Sequence, residues 1–484
     1  MICLSLSLAA LPALPPQISI GADASRTGYE LEIFEVPDPI ALEVGGLAIL
    51  ADGRPILSTR RGEIWIVEGA YGDTPSYKRF AEGLHEPLGL LVHEGWIYTA
   101  QRGELSRFRD IDGDDRIDEL ETVCDGWSIS GNYHEYNFGP RLDDEGNFWI
   151  TTNKPFGEEP FGRVAWRGFA LRISPEGEML PTCAGLRSPA GIEKSPFGEM
   201  FYTDNQGEWC GASKLAHLEP GDFHGHPWGI FSCERPEWPF GLIEHPPDGQ
   251  PMPEVAENHD SFKLPAVWFP YEKMGKSPAG MIWDTTQGAF GPFEGQLFVT
   301  DQHHAAVFRV CLEEVEGHWQ GACMPFLSGF PSGALRLAWG QDASLFVGCT
   351  NRGWGSRGNA TEGFARVRFS GHAPFALHSV SARRDGFVLR FTEALDAAHA
   401  ANTTHYGVES YTYLLHKAYG SGEKLREELE VKRVEVAADG LEVRLFVDGL
   451  RAGYVHEIQA RVESADGTSL HHDTAYYSLI RRPE

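Results

Sequence analysis

An all-β fold built from repeated units is what this sequence predicts, and three observations predict it. The phrase Ser188-Pro-Ala-Gly-Ile, followed by Gly198-Glu-Met-Phe-Tyr-Thr-Asp-Asn-Gln206, returns as Ser277-Pro-Ala-Gly-Met, followed by Gly295-Gln-Leu-Phe-Val-Thr-Asp-Gln302. Weaker copies begin at Gly45-Gly-Leu, Pro87-Leu-Gly-Leu, Phe138-Gly and Leu335. Each sets a small residue and an aliphatic before a turn rich in Asp or Gly and an alternating aromatic or β-branched run, the grammar of strand, hairpin and strand. No copy contains a convincing helix. The usual spacing, roughly 45–55 residues, is that of four-stranded blades. Six copies predict a six-bladed β-propeller over residues 25–370, followed at 371–484 by a small C-terminal immunoglobulin-like β-sandwich.

Taken in order, the chain opens with Ile2-Cys-Leu-Ser-Leu-Ser-Leu-Ala-Ala-Leu and a small-x-small site at Ala22-Asp-Ala24, which reads as a signal peptide over residues 1–24 without the usual basic start. Export to the periplasm or the extracellular space is therefore expected, with no transmembrane anchor. Losing Cys3 with that leader leaves seven of eight cysteines, so at least one stays unpaired. Cys311 with Cys323 and Cys210 with Cys233 are candidate disulfides; buried free thiols are the alternative. The formal net charge of -28 excludes nucleic acid and anionic membrane as partners, because phosphate binding needs basic clusters that are lacking here.

Between the second and third copies stands Asp110-Ile-Asp112-Gly-Asp114-Asp-Arg116-Ile-Asp118-Glu-Leu-Glu121. Acidic side chains at positions one, three, five, nine and twelve, with the Arg116 carbonyl at seven, follow the spacing that wraps calcium. Asp115 replaces the usual turn glycine at position six. A structural ion is expected, against a solvated acidic loop.

Directly before the third copy lies Asn132-Tyr-His134-Glu135-Tyr136-Asn137. Such loops gather at the mouth of a propeller channel, and His134 is the residue there that exchanges a proton near neutral pH. Glu135 is placed to orient it or to bind metal. Arg187 before the repeated phrase, Asn205 and Gln206 after it, Lys276 one copy later, and Arg336 and Arg352 in the last copy should reach the same mouth. Four cations in so acidic a chain suit an anionic ligand, unless neighbouring acids neutralise them.

The long interval between the two strong copies reads as an insertion over about 210–271, in which Trp228 would form a ligand-covering wall and His224 and His226 lack a standard zinc spacing. Gly353-Trp-Gly355-Ser-Arg-Gly358 matches a dinucleotide fingerprint in letters only, since a strand-like run follows it. Period-two runs at Phe387, Leu389 and Phe391 and at Leu441, Val443, Leu445 and Val447 mark the strands of the tail.

These motifs resemble the glucose/sorbosone dehydrogenase group, six-bladed propellers among which are the soluble aldose sugar dehydrogenases that use pyrroloquinoline quinone (PQQ). Tyr133-His-Glu-Tyr, Arg187-Ser-Pro-Ala-Gly, Tyr202-Thr-Asp-Asn-Gln-Gly and Asn351-Arg-Gly-Trp-Gly-Ser-Arg-Gly resemble more closely large secreted Planctomycete-type proteins often fused to cytochrome c, over roughly residues 40–370. The resemblance implies that His134 removes the proton of a sugar or polyol hydroxyl while hydride passes to the quinone. It implies that Arg187, Lys276, Arg336 and Arg352 hold the quinone, that Asn205 and Gln206 lie beside it or its calcium, and that a cytochrome c accepts the electrons. The chain departs from the sugar dehydrogenases at Ser188, where they usually carry Asn, and in the longer step from His134 to Gly139.

Two other classes compete with this dehydrogenase. One is a non-catalytic carbohydrate- or partner-binding scaffold, the other a calcium-dependent propeller hydrolase or lactonase. Whether the cations share one cavity with His134, or are ion-paired away, separates them.

Overall fold

The computed structural model describes residues 19–20, 27–72, 74–157 and 163–484. The expected leader, apart from Ser19 and Ile20, lies outside the described residues. The chain is all-β, and residues 29–369 form six antiparallel sheets. The first comprises Val44–Ile49, Pro55–Thr59, Ile64–Glu68 and Ser76–Ala81. The second comprises Leu91–His93, Trp96–Ala100, Leu105–Arg109 and Glu119–Cys124. The third comprises Asn137–Leu142, Phe148–Thr152, Phe169–Ile173 and Met179–Ala184. The fourth comprises Pro189–Lys194, Met200–Asp204, Ser213–His217 and Val267–Phe269. The fifth begins with Pro278–Trp283, Leu297–Asp301, Ala306–Val315 and His318–Ser328.

The sixth takes Ala334–Trp339, Leu345–Thr350 and Glu362–Phe369, and its next strand comes from the start of the chain. Tyr29–Phe34 pairs with it from Tyr29↔Phe369 to Phe34↔Phe364. The first strand of each sheet lies against the first strands of two others, and the sixth returns to the first. Close approach requires the repeated glycines: a Cβ at Gly191 would overlap the Ala279 carbonyl oxygen, and one at Gly280 would crowd the Leu335 carbonyl.

The repeated phrase has a hydrogen-bonding reason as well. Asp204 accepts the amides of Arg187 at 3.0 Å and Ser188 at 2.7 Å; Asp301 accepts those of Lys276 at 2.7 Å and Ser277 at 2.8 Å. Thr203 Oγ1 donates to Ala279 O at 2.8 Å, stitching the fourth sheet to the fifth. Thr-Asp at the end of the second strand therefore fixes the turn into the first strand and its neighbour.

Two strands of the fourth sheet, Ser213–His217 and Val267–Phe269, fall inside the span 210–271 expected as an insertion. The departure from the repeat is the shorter segment between them. It carries a 3-10 turn at Pro227–Glu234, a short helix at Met252–Asn258, and a strand Gln250–Pro251 that pairs with Leu414–Leu415 of the tail.

Residues 371–484 form two groups of strands that share a core including Phe387, Leu389, Val443, Leu445, Ile458 and Tyr477. One sheet runs Leu377–Arg383, Gly386–Phe391, Glu442–Val447, Val431–Val436. The other, Thr474–Leu479, Tyr454–Ala460, Tyr406–Thr412 and Lys424–Leu429, continues the fifth sheet through Gly321↔Ser478 to Cys323↔Tyr476. Ala322 and Met324 of the fifth sheet enter the tail's core.

All seven cysteines among the described residues are free, so neither candidate disulfide forms. Register explains the first: Cys311 stands opposite Ala322 and Val310 opposite Cys323, which sends the two thiols to opposite faces of the hairpin. Cys210 instead donates to the Ala212 carbonyl at 3.3 Å, and Cys233 is separately buried. No helix among the described residues is long and apolar enough to cross a membrane.

Candidate functional site

A short loop, 130–136, brings His134 to a cavity at one end of the ring. Its geometry is set by two anchors. Glu135, fully buried, accepts Ser130 N at 2.8 Å, Ser130 Oγ at 2.7 Å and Gly131 N at 3.2 Å, so it closes its own loop rather than orienting His134. Asn132 Oδ1 accepts His134 N at 3.0 Å and Phe156 N at 3.2 Å.

His134 Nδ1 lies 2.7 Å from the Lys154 carbonyl, Nε2 lies 3.0 Å from Ser188 Oγ, and the ring stacks on Phe156 at 3.7 Å. A carbonyl only accepts, so Nδ1 carries the proton and Nε2 presents a lone pair. Burial, reinforced by the Arg187 guanidinium, holds the imidazole pKa well below its ordinary value. His134 is a neutral base at Nε2.

The cavity encloses about 140 Å³ and is lined by His134, Phe156, Arg187, Ser188, Asn205, Gln206, Lys276 and Arg352, among others. Tyr133, Trp354 and Tyr419, 59%, 42% and 56% exposed, rim its mouth. Six of the seven residues expected there, all but Arg336, thus share one cavity. Trp228 is not among the lining residues, and His224 and His226 are buried apart, His224 against the Tyr202 ring at 5.0 Å and His226 toward Glu208 at 3.9 Å.

Arg336 is the departure. Its Nε donates to Gly45 O at 2.8 Å and its Nη1 to Ala190 O at 2.9 Å, deep among the first strands and under the Phe138 ring. Burial, with Arg141 and Arg60 nearby, pulls its pKa down to about 9. Because it belongs to the strand itself rather than to the loop before it, its side chain points into the ring and ties strands together.

Each cation at the mouth has a carboxylate partner. Arg187, 2% exposed, donates from Nε at 3.2 Å and Nη2 at 3.0 Å to Glu208 Oε2, between the rings of Phe156 and Tyr419. Lys154 pairs with the other Glu208 oxygen. Lys276 pairs with Glu272, Arg352 with Glu43 at 3.3 Å, and Arg60 with Glu86 at 2.7 Å. Every one of these carboxylates also meets a second cation: Lys154 at Glu208, Arg357 at Glu272, Arg61 at Glu43 and Arg102 at Glu86. The four cations that line the cavity, Arg60, Arg187, Lys276 and Arg352, are thus matched one to one by carboxylates, and the second cations stand outside its lining. Burial pushes Glu208 up, but His226, Arg187 and Lys154 outweigh it and hold the carboxyl far below its usual range. Asn205 Nδ2 donates to Ser188 O at 2.8 Å while its buried Oδ1 has no partner; Gln206 Nε2 donates to Gly211 O at 3.0 Å.

Sequence reasoning missed Glu208, Lys154, Phe156, Tyr419 and the contact from Ser188 to His134. Glu208 stands two residues beyond the Asn-Gln pair already singled out, so an acid in that loop was the available signal. Tyr419 carried none, because the loop bearing it belongs to the tail. That loop is docked by Gly420 N to Gly207 O at 3.0 Å and Ser421 N to Gly211 O at 2.8 Å.

The acidic loop lies elsewhere, between the third and fourth strands of the second sheet. Carboxylate oxygens of Asp110, Asp112 and Asp118 come within 4.8 Å of one another. Glu121 is not with them: it pairs with Arg107 at 2.6 Å across the strands. Nor does Asp114 join that group of carboxylates. Asp115 takes the left-handed conformation at φ 61, and the guanidinium of Arg54 at 2.8 Å, with Lys78 at 2.9 Å, holds its pKa at about 2. That grip replaces the expected turn glycine.

Comparison with known proteins adds fold likeness. Residues 59–219 match a family described as a domain of unknown function, DUF7133. No curated protein matches the chain in sequence. Among solved structures, a PQQ-bound aldose sugar dehydrogenase from Streptomyces coelicolor is 15% identical over 70% of this chain and 98% of its own, at a TM-score of 0.50. A carbohydrate-active enzyme of family AA12 from Trichoderma reesei is 12% identical over 74% of this chain and 100% of its own, at 0.52. The soluble aldose sugar dehydrogenase of Escherichia coli, in its apo form, is 15% identical over 70% and 99%, at 0.49. At these identities the likeness is one of propeller-like fold.

Proposed function

We propose that the chain is a six-bladed propeller carrying an immunoglobulin-like β-sandwich, exported to the periplasm or beyond, and that it oxidises a sugar or polyol with a bound quinone such as PQQ. One observation carries this: a buried, neutral histidine whose Nε2 presents its lone pair to the Ser188 hydroxyl lines the same cavity as Arg60, Arg187, Lys276 and Arg352. The donor set fits a flat polycarboxylate. Arg187, Lys276 and Arg352 supply charge, the partnerless Asn205 Oδ1 supplies an unused polar atom, and Phe156 and the rim rings supply planar apolar contact. Pockets that bury a whole drug-sized ligand measure roughly 300–1,000 Å³, so a tricyclic group would extend from the cavity into the mouth.

A bound quinone would serve as the two-electron acceptor. The chain's own residues then do the rest. His134 takes the hydroxyl proton at Nε2, and the Lys154 carbonyl keeps that nitrogen unprotonated beforehand. The rim rings of Tyr133, Trp354 and Tyr419 suit the apolar faces of a sugar. We also read Asp110, Asp112 and Asp118 as a structural calcium site remote from this chemistry, and a cytochrome c as electron acceptor by resemblance alone.

Pairing of every mouth cation favours a second reading, a carbohydrate-binding propeller without redox chemistry. Reconstitution with PQQ and calcium, followed by dye reduction over a panel of aldoses and polyols, decides between them. The dehydrogenase reading expects reduction with at least one sugar and none with His134→Gln. Sugar binding with no quinone binding and no reduction leaves the scaffold.

A further inference from the structure

The geometry points to a second activity at the same cavity, and we propose that Ser188 is a nucleophile that hydrolyses small carboxylic esters and lactones. Three contacts carry it. Ser188 Oγ is 3.0 Å from His134 Nε2, the nitrogen that presents its lone pair. His134 Nδ1 is fixed by the Lys154 carbonyl at 2.7 Å, which sets the tautomer as the third member of a catalytic triad does. Asn153 Nδ2 donates to the same Oγ at 3.3 Å, which orients the hydroxyl so that its hydrogen points to His134 Nε2. Ser188 and Asn153 both line the cavity.

None of this follows from the oxidative reading, which uses His134 alone. It follows from Ser188, which stands where the resembled dehydrogenases usually carry an amide. The surroundings suit the chemistry. Arg187 lines the same cavity, where its guanidinium stands near a developing oxyanion, and the Asp204 carboxylate holds the Ser188 amide at 2.7 Å, which fixes the backbone from which Oγ projects.

The step balances with water as the only co-reactant. Ser188 Oγ bonds to the carbonyl carbon as its proton passes to His134 Nε2; the ester C–O bond breaks, and the leaving oxygen takes that proton. In a lactone the freed hydroxyl stays attached to the acyl group. Water then attacks the acyl-serine and gives its proton to His134; the bond from the acyl carbon to Oγ breaks as that proton passes from Nε2 to Oγ, releasing the acid and restoring the hydroxyl. The cavity of about 140 Å³ holds about one ring of the acyl part inside its mouth, and the aromatic rim suits a cyclic, sugar-like one.

The test uses the full-length protein with no quinone present, so a failure of dye reduction leaves it untouched. A fluorophosphonate probe followed by peptide mass spectrometry should place an adduct on Ser188, and p-nitrophenyl acetate and δ-gluconolactone should be hydrolysed above the rate in buffer. Ser188→Ala should remove the adduct and lower hydrolysis by about 10³-fold or more. Ser188→Cys is the second variant, expected to regain labelling by a thiol reagent at that position with folding checked by circular dichroism. No adduct on Ser188 in folded wild type, or hydrolysis equal in wild type and Ser188→Ala, overturns the proposal.

Discussion

Arg187 Nη2 lies 3.0 Å from Glu208 Oε2, and the other Glu208 oxygen is held by Lys154, so one carboxylate governs two cations that are each nearly inaccessible. Removing it leaves two buried charges without their partner. Glu208→Gln is expected to cost roughly 3 kcal/mol of stability, read from urea unfolding, and to strengthen binding of anionic ligands in the cavity. Unchanged stability would show that solvent reaches the pair.

Asp222 gives a pH dependence of the opposite kind to an ordinary ion pair. Burial, opposed by Lys263, raises its pKa to about 7. The native carboxyl thus keeps its proton where the unfolded one has lost it, and stability contributed by this group falls as pH rises from about 4 to 7. Asp222→Asn should flatten that part of the curve and stabilise the protein at pH 8 relative to wild type. Thermal melts at several pH values check it.

His226 and His456 act in the other direction, because burial lowers them to about 4 and about 3. Unfolded histidines bind protons below about pH 6.5 while these do not, so stability is lost as pH falls from there. Each shift of several pH units outweighs a single surface pair. Melting temperature should drop steeply between pH 6 and 4, and His456→Gln should soften the drop.

Gly191→Ala should be severely destabilising. The new Cβ would meet the backbone of Ala279, which no rotamer change can move, and overpacking of this kind costs about 1–3 kcal/mol or more. Ala at exposed Gly295, where nothing is within 4 Å, tests backbone strain alone, since its φ is +76. Chemical denaturation of the two variants separates clash from conformation.

Calcium should raise the melting temperature by a few degrees, and Asp112→Ala should remove that response without altering His134's cavity. A melt unaffected by calcium or EGTA leaves Asp110, Asp112 and Asp118 as a solvated loop.

What could be read from the sequence divides along one physical line. Asp204, Asp301, Gly191 and Gly280 act through local backbone geometry that recurs in every unit, and repetition exposes such residues. His134, Arg187 and Lys276 were placed at the mouth because they sit at equivalent steps beside equivalent strands. Arg187 and Lys276 stand two residues before their strands and Arg336 two residues into its own, which carries its side chain from the mouth to the interior. Lys154 and Ser188 were invisible as partners because their contacts, to Glu208 and to His134, cross between sheets. Tyr419 and Tyr29–Phe34 arrive from the far ends of the chain, where no spacing rule reaches.

That last strand has a consequence for how the molecule comes to exist. Arg366 and Glu32 pair at 2.6 Å although 334 residues separate them. The ring is a belt whose clasp joins Tyr29–Phe34 to Glu362–Phe369, so during synthesis the earlier strand waits unpaired until more than 300 residues have followed it. Such distant pairing is slow to form. Until it does, that strand presents an open edge, the feature through which incompletely folded chains misassemble.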